Sequence, residues 1–242
     1  MSQNSPARYW AVLPAAGGGT RMGLARPKQY LPLKGRALIE WSLGALLECG
    51  WIDGIVVVLA KSDQEFATLP VAGHPKLVVT TGGAARADSV LAGLKIVAAR
   101  TRSFTDVHVL VHDAARPCLD VAAVEQLADE ADDKHGGLLA LPCTDTLKRG
   151  KQAGGSSRVV ETVDRAFYWR AQTPQLFRLD LLTQALEECR ARDVTVTDEA
   201  SAMECAGFHP RLVRGRESNI KVTFPEDLPL AEFWLSQKER GA

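Results

Sequence analysis

Apolar residues in this chain fall into two alternating spacings. Apolar runs at 10–13, 55–59, 77–79 and 138–141, and one at 107–111 interrupted by His108, read as strands, the continuous 55–59 run as one covered on both faces. Between them, Leu38, Trp41, Ala45, Leu46 and Cys49, then Val90, Leu91, Leu94 and Val97, recur at helical spacing. Further helices are expected over 121–131, 178–191 and 198–206, with a strand near 211–213. Thr223 and Glu226 have capping-box spacing ahead of a last helix, where Pro229 should kink the helix or delay its start. Apolar strands alternating with amphipathic helices predict an α/β fold, a mostly parallel sheet flanked by helices. Ligands of such sheets sit beyond the carboxyl ends of the strands, so the loops at Pro14, 80–89 and 112–117 should surround one crevice.

The alternation breaks at 145–162. Short β-prone pieces at 146–148 and 159–160 flank a Gly/Ser-rich tip at 150–157, which predicts a projecting β-hairpin arm over about 143–168. A lone hairpin is marginal in water, so this arm should pack on a second subunit. No linker, repeat or charge block divides the chain, and 1–242 reads as one domain with an excursion.

Composition narrows the partners. Lys plus Arg and Asp plus Glu both total 29 in 242 residues, so no global field recruits nucleic acid or an anionic membrane. An anion site must be built locally, which favours a small ligand. The five cysteines form no Cys-x-x-Cys pair and read as small hydrophobes or inert thiols in a reducing compartment. The first residues lack the apolar centre of a signal peptide. No run approaches the roughly twenty apolar residues of a membrane span. A cytoplasmic protein is expected.

The chemistry concentrates after the first strand, which should end at Pro14 because proline cannot donate to a central ladder. Ala15, Ala16, Gly17, Gly18 and Gly19 carry almost no side chain, so a ligand can lie on bare backbone amides in an anion-binding nest. Arg21 and Lys28 follow. Amides and two cations suit a polyphosphate; without the cations this would read as an ordinary strand-to-helix turn. A Walker A loop is excluded, because Leu24 and Ala25 follow Gly23, and Gly17, Gly19 and Gly23 miss the dinucleotide spacing.

This Pro-Ala-Ala-Gly loop with Arg21-Met22, followed by Pro27-Lys28-Gln29-Tyr30, resembles the signature of the sugar-nucleotide-type nucleotidyltransferases. Within these the chain is most similar to the 2-C-methyl-D-erythritol 4-phosphate cytidylyltransferases, from about residue 10 to the last helix. The resemblance implies a Rossmann-like nucleotidyltransferase sheet. It also implies that Gly82, Arg86 and Ser89 help hold the nucleotide with Pro14 and the alanine-glycine loop, backbone groups reading the pyrimidine edge. Acidic residues common in that family's second loop are replaced here by Ala84 and Ala85. His112-Asp113-Ala114-Ala115-Arg116-Pro117 ends the fourth strand. There Asp113 can meet Mg²⁺ or a substrate hydroxyl and Arg116 can fork onto phosphate, or the two form a structural ion pair; His112 reads as structure rather than base. By resemblance Asp113 and Arg116 belong to the substrate site, as do Thr146, Thr173 and Thr197, and Arg165 reaches the acceptor phosphate from the neighbouring subunit of a homodimer. Lys221, in a strand-like run at 219–223, should find an anion, since an unpaired buried ammonium is costly; in the family its counterpart contacts the acceptor phosphate.

The implied reaction joins CTP and 2-C-methyl-D-erythritol 4-phosphate and releases pyrophosphate. Mg²⁺ is held mainly by the CTP phosphates, and no protein metal ligands are assigned. Arg21 and Lys28 would serve the triphosphate, Arg165 and Lys221 the acceptor. Another polyol-phosphate cytidylyltransferase, acting for instance on ribitol 5-phosphate, would share the nucleotide half. A catalytically silent nucleotide-binding module is the reading from a different class, and a nicotinamide dehydrogenase lacks its fingerprint here.

Overall fold

The computed structural model describes residues 8–17, 26–101, 104 and 106–241. Along the chain run β1 (Arg8–Ala15), β2 (Pro32–Leu33), β3 (Arg36–Ala37), α1 (Leu38–Glu48), β4 (Ile52–Leu59) and β5 (Leu77–Thr81). Then come α2 (Arg86–Thr101), β6 (Val107–Val111), α3 (Val121–Glu130), β7 (Gly137–Pro142), β8 (Leu147–Ala153) and β9 (Ser156–Val163). The chain finishes with β10 (Trp169–Arg178), α4 (Leu179–Ala191), α5 (Glu199–Cys205), β11 (Arg211–Arg214) and α6 (Asp227–Gly241).

Among the described residues a seven-stranded sheet has the order β11-β7-β10-β6-β1-β4-β5. β1 is parallel to β4 and β6, β4 to β5, and β11 to β7; β10 runs antiparallel to both β6 and β7. The expected mostly parallel α/β sheet is therefore present. Because side chains alternate across a strand, Ala11 and Leu13 face one layer with Ile39, Leu43 and Leu46 of α1 and Val124 and Leu127 of α3. Val12, Val56 and Val58 face the other, with Val90, Leu94 and Val97 of α2 and Leu182 and Leu186 of α4. A third cluster seats Ala231 and Leu235 of α6 on Leu31, Leu33 and Val222.

Several expectations are corrected. β1 does not stop at Pro14: it runs to Ala15, pairing Pro14 with Val58 and Ala15 with Leu59, while the β6 side of the ladder has ended at Val12 and Val111. The missing N–H thus falls where no neighbouring strand needs it. Residues 219–223 form no strand; Val222 N donates to Ala115 O at 2.8 Å and the segment is otherwise irregular. α2 starts at Arg86 rather than Ser89, putting Arg86 in its first turn. Asp227, not Glu226, accepts the backbone N–H groups of Thr223 and Phe224 at 2.7 and 2.8 Å, and Pro229 sits in the first turn of a helix whose start is delayed.

The hairpin forms within the expected 143–168 segment, its strands longer than the β-prone pieces at 146–148 and 159–160, with β8 and β9 paired as a separate two-stranded sheet. Its turn is narrowed to Gly154 and Gly155, at φ +56° and +79°, values that glycine adopts without penalty.

Close approach of α2 to the sheet rests on Gly93: a Cβ there would lie 2.5 Å from Val12 Cγ1 and 3.1 Å from Val58 Cγ2. Both valines are fully buried and have no room to yield. Gly93→Val should lower unfolding stability by about 2 kcal/mol or more through overpacking, read as a lower urea midpoint at unchanged m-value.

Candidate active site

A cleft of ≈ 330 Å³ opens beyond the carboxyl ends of β1, β5 and β6. Pro14, Ala15, Ala16 and Gly17 form one wall; Lys28, Arg86, Ser89, Asp113 and Lys221 contribute its polar side chains together with Gln29 and Thr223. The cleft thus gathers three of the predicted loops. Gln29, which sequence reasoning gave no role, donates from Nε2 to Ala15 O at 2.8 Å and is 4% exposed, pinning the 28–30 turn to the end of β1. That turn carries Lys28 into the cleft, where Nζ donates to Val222 O at 3.3 Å. Gly82 lies against the wall: a Cβ would be 2.5 Å from Ser89 Oγ and 2.7 Å from Ala16 Cβ. Gly18, Gly19 and Arg21 lie outside the described residues.

Asp113 is the electrostatic centre. Arg86 donates to its Oδ1 from Nε and Nη2 at 3.3 and 3.1 Å. Lys221 Nζ sits 2.7 Å from Oδ2, and Arg116 Nε 3.8 Å from the same atom. Burial alone would raise the pKa of this carboxyl; Arg86, Lys221 and Arg116 outweigh it and hold it well below the usual carboxylate range. Lys221 finds the anion expected of it, although its ammonium is only partly buried. Arg116 is buried: its two terminal nitrogens donate to Asn219 O at 2.7 Å and Ala171 O at 3.4 Å. It braces the 219–223 segment and does not line the cleft.

Beneath Asp113 lies a closed chain of hydrogen bonds. The Thr173 hydroxyl accepts from Asp113 N at 3.0 Å and lies 3.0 Å from His112 Nδ1, while His112 Nε2 is 3.2 Å from Arg116 O. A carbonyl only accepts, so Nε2 carries the proton and Nδ1 receives the Thr173 hydroxyl hydrogen. Both ring nitrogens are engaged, and burial pushes the His112 pKa down to about 4. A neutral, saturated imidazole is no proton acceptor for substrate. The sequence missed β10, which delivers Thr173, because its polar Gln172, Thr173 and Gln175 are buried by hydrogen bonding rather than by apolar contact.

Three comparisons with known proteins address identity. The family model for 2-C-methyl-D-erythritol 4-phosphate cytidylyltransferase matches residues 9–237. The chain belongs to this family. A Pseudomonas putida (strain GB-1) member is 51% identical over 239 residues, 98% of each chain, and one from Mannheimia succiniciproducens is 48% identical over 94% of this chain and 96% of its own. Among solved structures, a 4-diphosphocytidyl-2C-methyl-D-erythritol synthase aligns with TM-score 0.81 at 34% identity over 96% of this chain and 100% of that one. A Thermus thermophilus member aligns at 0.74 and 29%, with coverage of 96% and 100%.

Apart from Asp113 and Lys221, the residues expected on the acceptor side lie away from the cleft. Thr146 and Thr197 are exposed, Thr173 is enclosed in the His112 chain, and exposed Arg165 donates to Thr144 O; none of them lines the cleft of its own chain. One residue of the 197–201 string, which the sequence placed on the acceptor side as a whole, was given no role of its own. Glu199, at 0% exposure, receives Arg86 through Nη1 at 2.6 Å and Nη2 at 3.0 Å. Burial raises its pKa and Arg86 opposes that rise. The sequence signal was only an acid at the start of a predicted helix, a place where exposed acids are common.

His112 supplies a pH test. Its folded pKa is below the unfolded value, so its contribution is complete above about 6.5 and fades as pH falls towards about 4. Between pH 7 and pH 5 the wild type should lose about 2 kcal/mol more unfolding free energy than His112→Asn, measured by urea titration at both pH values.

Proposed function

We propose that this chain transfers the cytidylyl group of CTP to 2-C-methyl-D-erythritol 4-phosphate, forming 4-diphosphocytidyl-2-C-methyl-D-erythritol and pyrophosphate for isoprenoid biosynthesis. Family membership over nearly the whole chain carries this reading. The cleft suits it chemically. The nucleophile is the acceptor's phosphate, largely dianionic near neutral pH because its second pKa is about 6. One of its oxygens bonds to the α-phosphorus, the α–β bridging bond breaks, and pyrophosphate leaves with the electron pair. No proton need be removed, which agrees with a site whose histidine is neutral and saturated.

The obstacle is repulsion between a dianion and a triphosphate, so fixed cations beside both are what lower the barrier. Lys28 and Arg21 serve the triphosphate against the bare backbone of residues 14–19, with Gly82, Arg86 and Ser89 around the nucleoside. Lys221 faces the acceptor phosphate. Asp113 holds Arg86 and Lys221 in register on the substrate side, and Arg116 braces the segment that carries Lys221. A Mg²⁺ ion would be carried mainly by the CTP phosphates, with Asp113, the acid lining the cleft among the described residues, as the carboxylate beside it. When bound it supplies further positive charge to the phosphates.

The working form is a cytoplasmic homodimer. Among the described residues no helix is long and apolar enough to cross a membrane. The arm exposes Val159 at 65%, Phe167 at 82% and Trp169 at 38%, apolar surface that a second copy would cover, and Arg165 at its base would complete the partner's acceptor site with Thr146, Thr173 and Thr197 nearby.

Lys28→Ala should lower kcat for CTP-dependent pyrophosphate release about a hundredfold or more, as for loss of a transition-state donor, with an unchanged circular dichroism spectrum; near wild-type kcat would refute the assignment. Arg165→Ala should weaken acceptor use and spare CTP binding. Mixing the two impaired variants should raise turnover above that of either alone, because one site then combines an intact Lys28 with a partner's intact arginine; no gain after subunit exchange would remove the shared site.

A further inference from the structure

Glu199 does not line the cleft and reaches it only through Arg86. Its carboxylate is enclosed, and both oxygens face Arg86, from Nη1 at 2.6 Å and Nη2 at 3.0 Å. The other edge of the same guanidinium, Nε with Nη2, lies on Asp113 Oδ1. Arg86 is thus wedged between two carboxylates, one hidden and one lining the cleft. The hidden one is fixed independently: Ala200 N donates to Gln175 Oε1 at 2.8 Å, and Gln175 Nε2 donates to Asp198 Oδ2 at 2.9 Å. Both bonds lock the start of α5 to β10. Through Glu199, the helix that follows the Thr197 loop is tied to the arginine that follows the Gly82 loop.

We propose that Glu199 is a positioning residue: it clamps Arg86 against Asp113, so that the nucleotide side and the acceptor side of the cleft hold one fixed arrangement of charge. This rests on the proposed cytidylyl transfer. Without the buried carboxylate, Arg86 loses a bidentate partner and is free to turn towards incoming phosphate. Asp113 is then left to Lys221 and Arg116 and draws Lys221 away from the acceptor. The nucleotide would gain a loose cation while the acceptor lost a fixed one.

The test is a double-mutant cycle on the purified full-length enzyme with CTP and 2-C-methyl-D-erythritol 4-phosphate. Glu199→Gln should lower kcat at least tenfold and raise the acceptor KM, with the CTP KM raised less than threefold. Glu199→Asp, which keeps the charge, should lose less. In an Arg86→Ala background, Glu199→Gln should change kcat less than threefold, since the clamp has nothing left to hold. A folded Glu199→Gln enzyme with wild-type kcat, or the same loss in both backgrounds, would overturn the proposal. Should Glu199→Gln not fold, Arg86→Lys decides, because one ammonium cannot fork across both carboxylates: a tenfold loss of kcat with the acceptor KM raised and the CTP KM within threefold supports the clamp, and wild-type kcat or a loss confined to CTP KM overturns it. If the wild type itself releases no pyrophosphate, it is the proposed reaction that fails. The cycle is then read on urea midpoints, where non-additive effects support the Glu199–Arg86 link and additive ones overturn it.

Discussion

The pairing of Asp113 with three cations is the interaction on which the rest of the site depends. A carboxylate taken out of water is costly unless its charge is matched, and here the matching groups come from separate parts of the chain. Arg86 arrives on the first turn of α2, Arg116 from the loop after β6, and Lys221 from the irregular segment before α6. One side chain therefore holds three segments at a common point and fixes where their positive charge sits. A second carboxylate, Glu199, sits behind Arg86, so three cations face two carboxylates and the array keeps one positive charge in excess before any ligand enters.

That local excess is how a chain with equal numbers of acidic and basic side chains can present a cleft suited to phosphate. The field is local and short in range. In the proposed reaction an incoming phosphate would meet cations already oriented, so little reorganisation would remain. The backbone wall at residues 14–17 contributes no bulk and no charge of its own. Its amides come within reach because β1 continues past the end of β6 on the side where Pro14 needs no partner.

Much of this was legible beforehand. The runs at 55–59, 107–111 and 138–141 became β4, β6 and β7 because strands covered on both faces need no polar alternation. The hairpin announced itself by its glycines and by loss of the apolar pattern. β10 did not, because Gln172, Thr173, Pro174 and Gln175 look like a turn. They are buried by hydrogen bonds to residues distant in sequence, such as His112, Asp198 and Asn219. The 219–223 run misled in the opposite direction: Ile220 and Val222 suggested a strand, yet Val222 is buried against the α6 cluster rather than in a ladder.

What the sequence determined by itself was local: which segments bury one face, where the backbone is bare, and which cations lie close to it along the chain. Those follow from spacing and side-chain size, and no distant residue is needed to read them. The tertiary structure alone decided which charges meet. Asp113 and Lys221 are far apart in sequence, as are Arg86 and Glu199, and nothing in either neighbourhood specifies the partner. Whether an acid is solvated or enclosed depends on what packs over it, so Glu199 became part of the site only when α5 closed against β10 and α2.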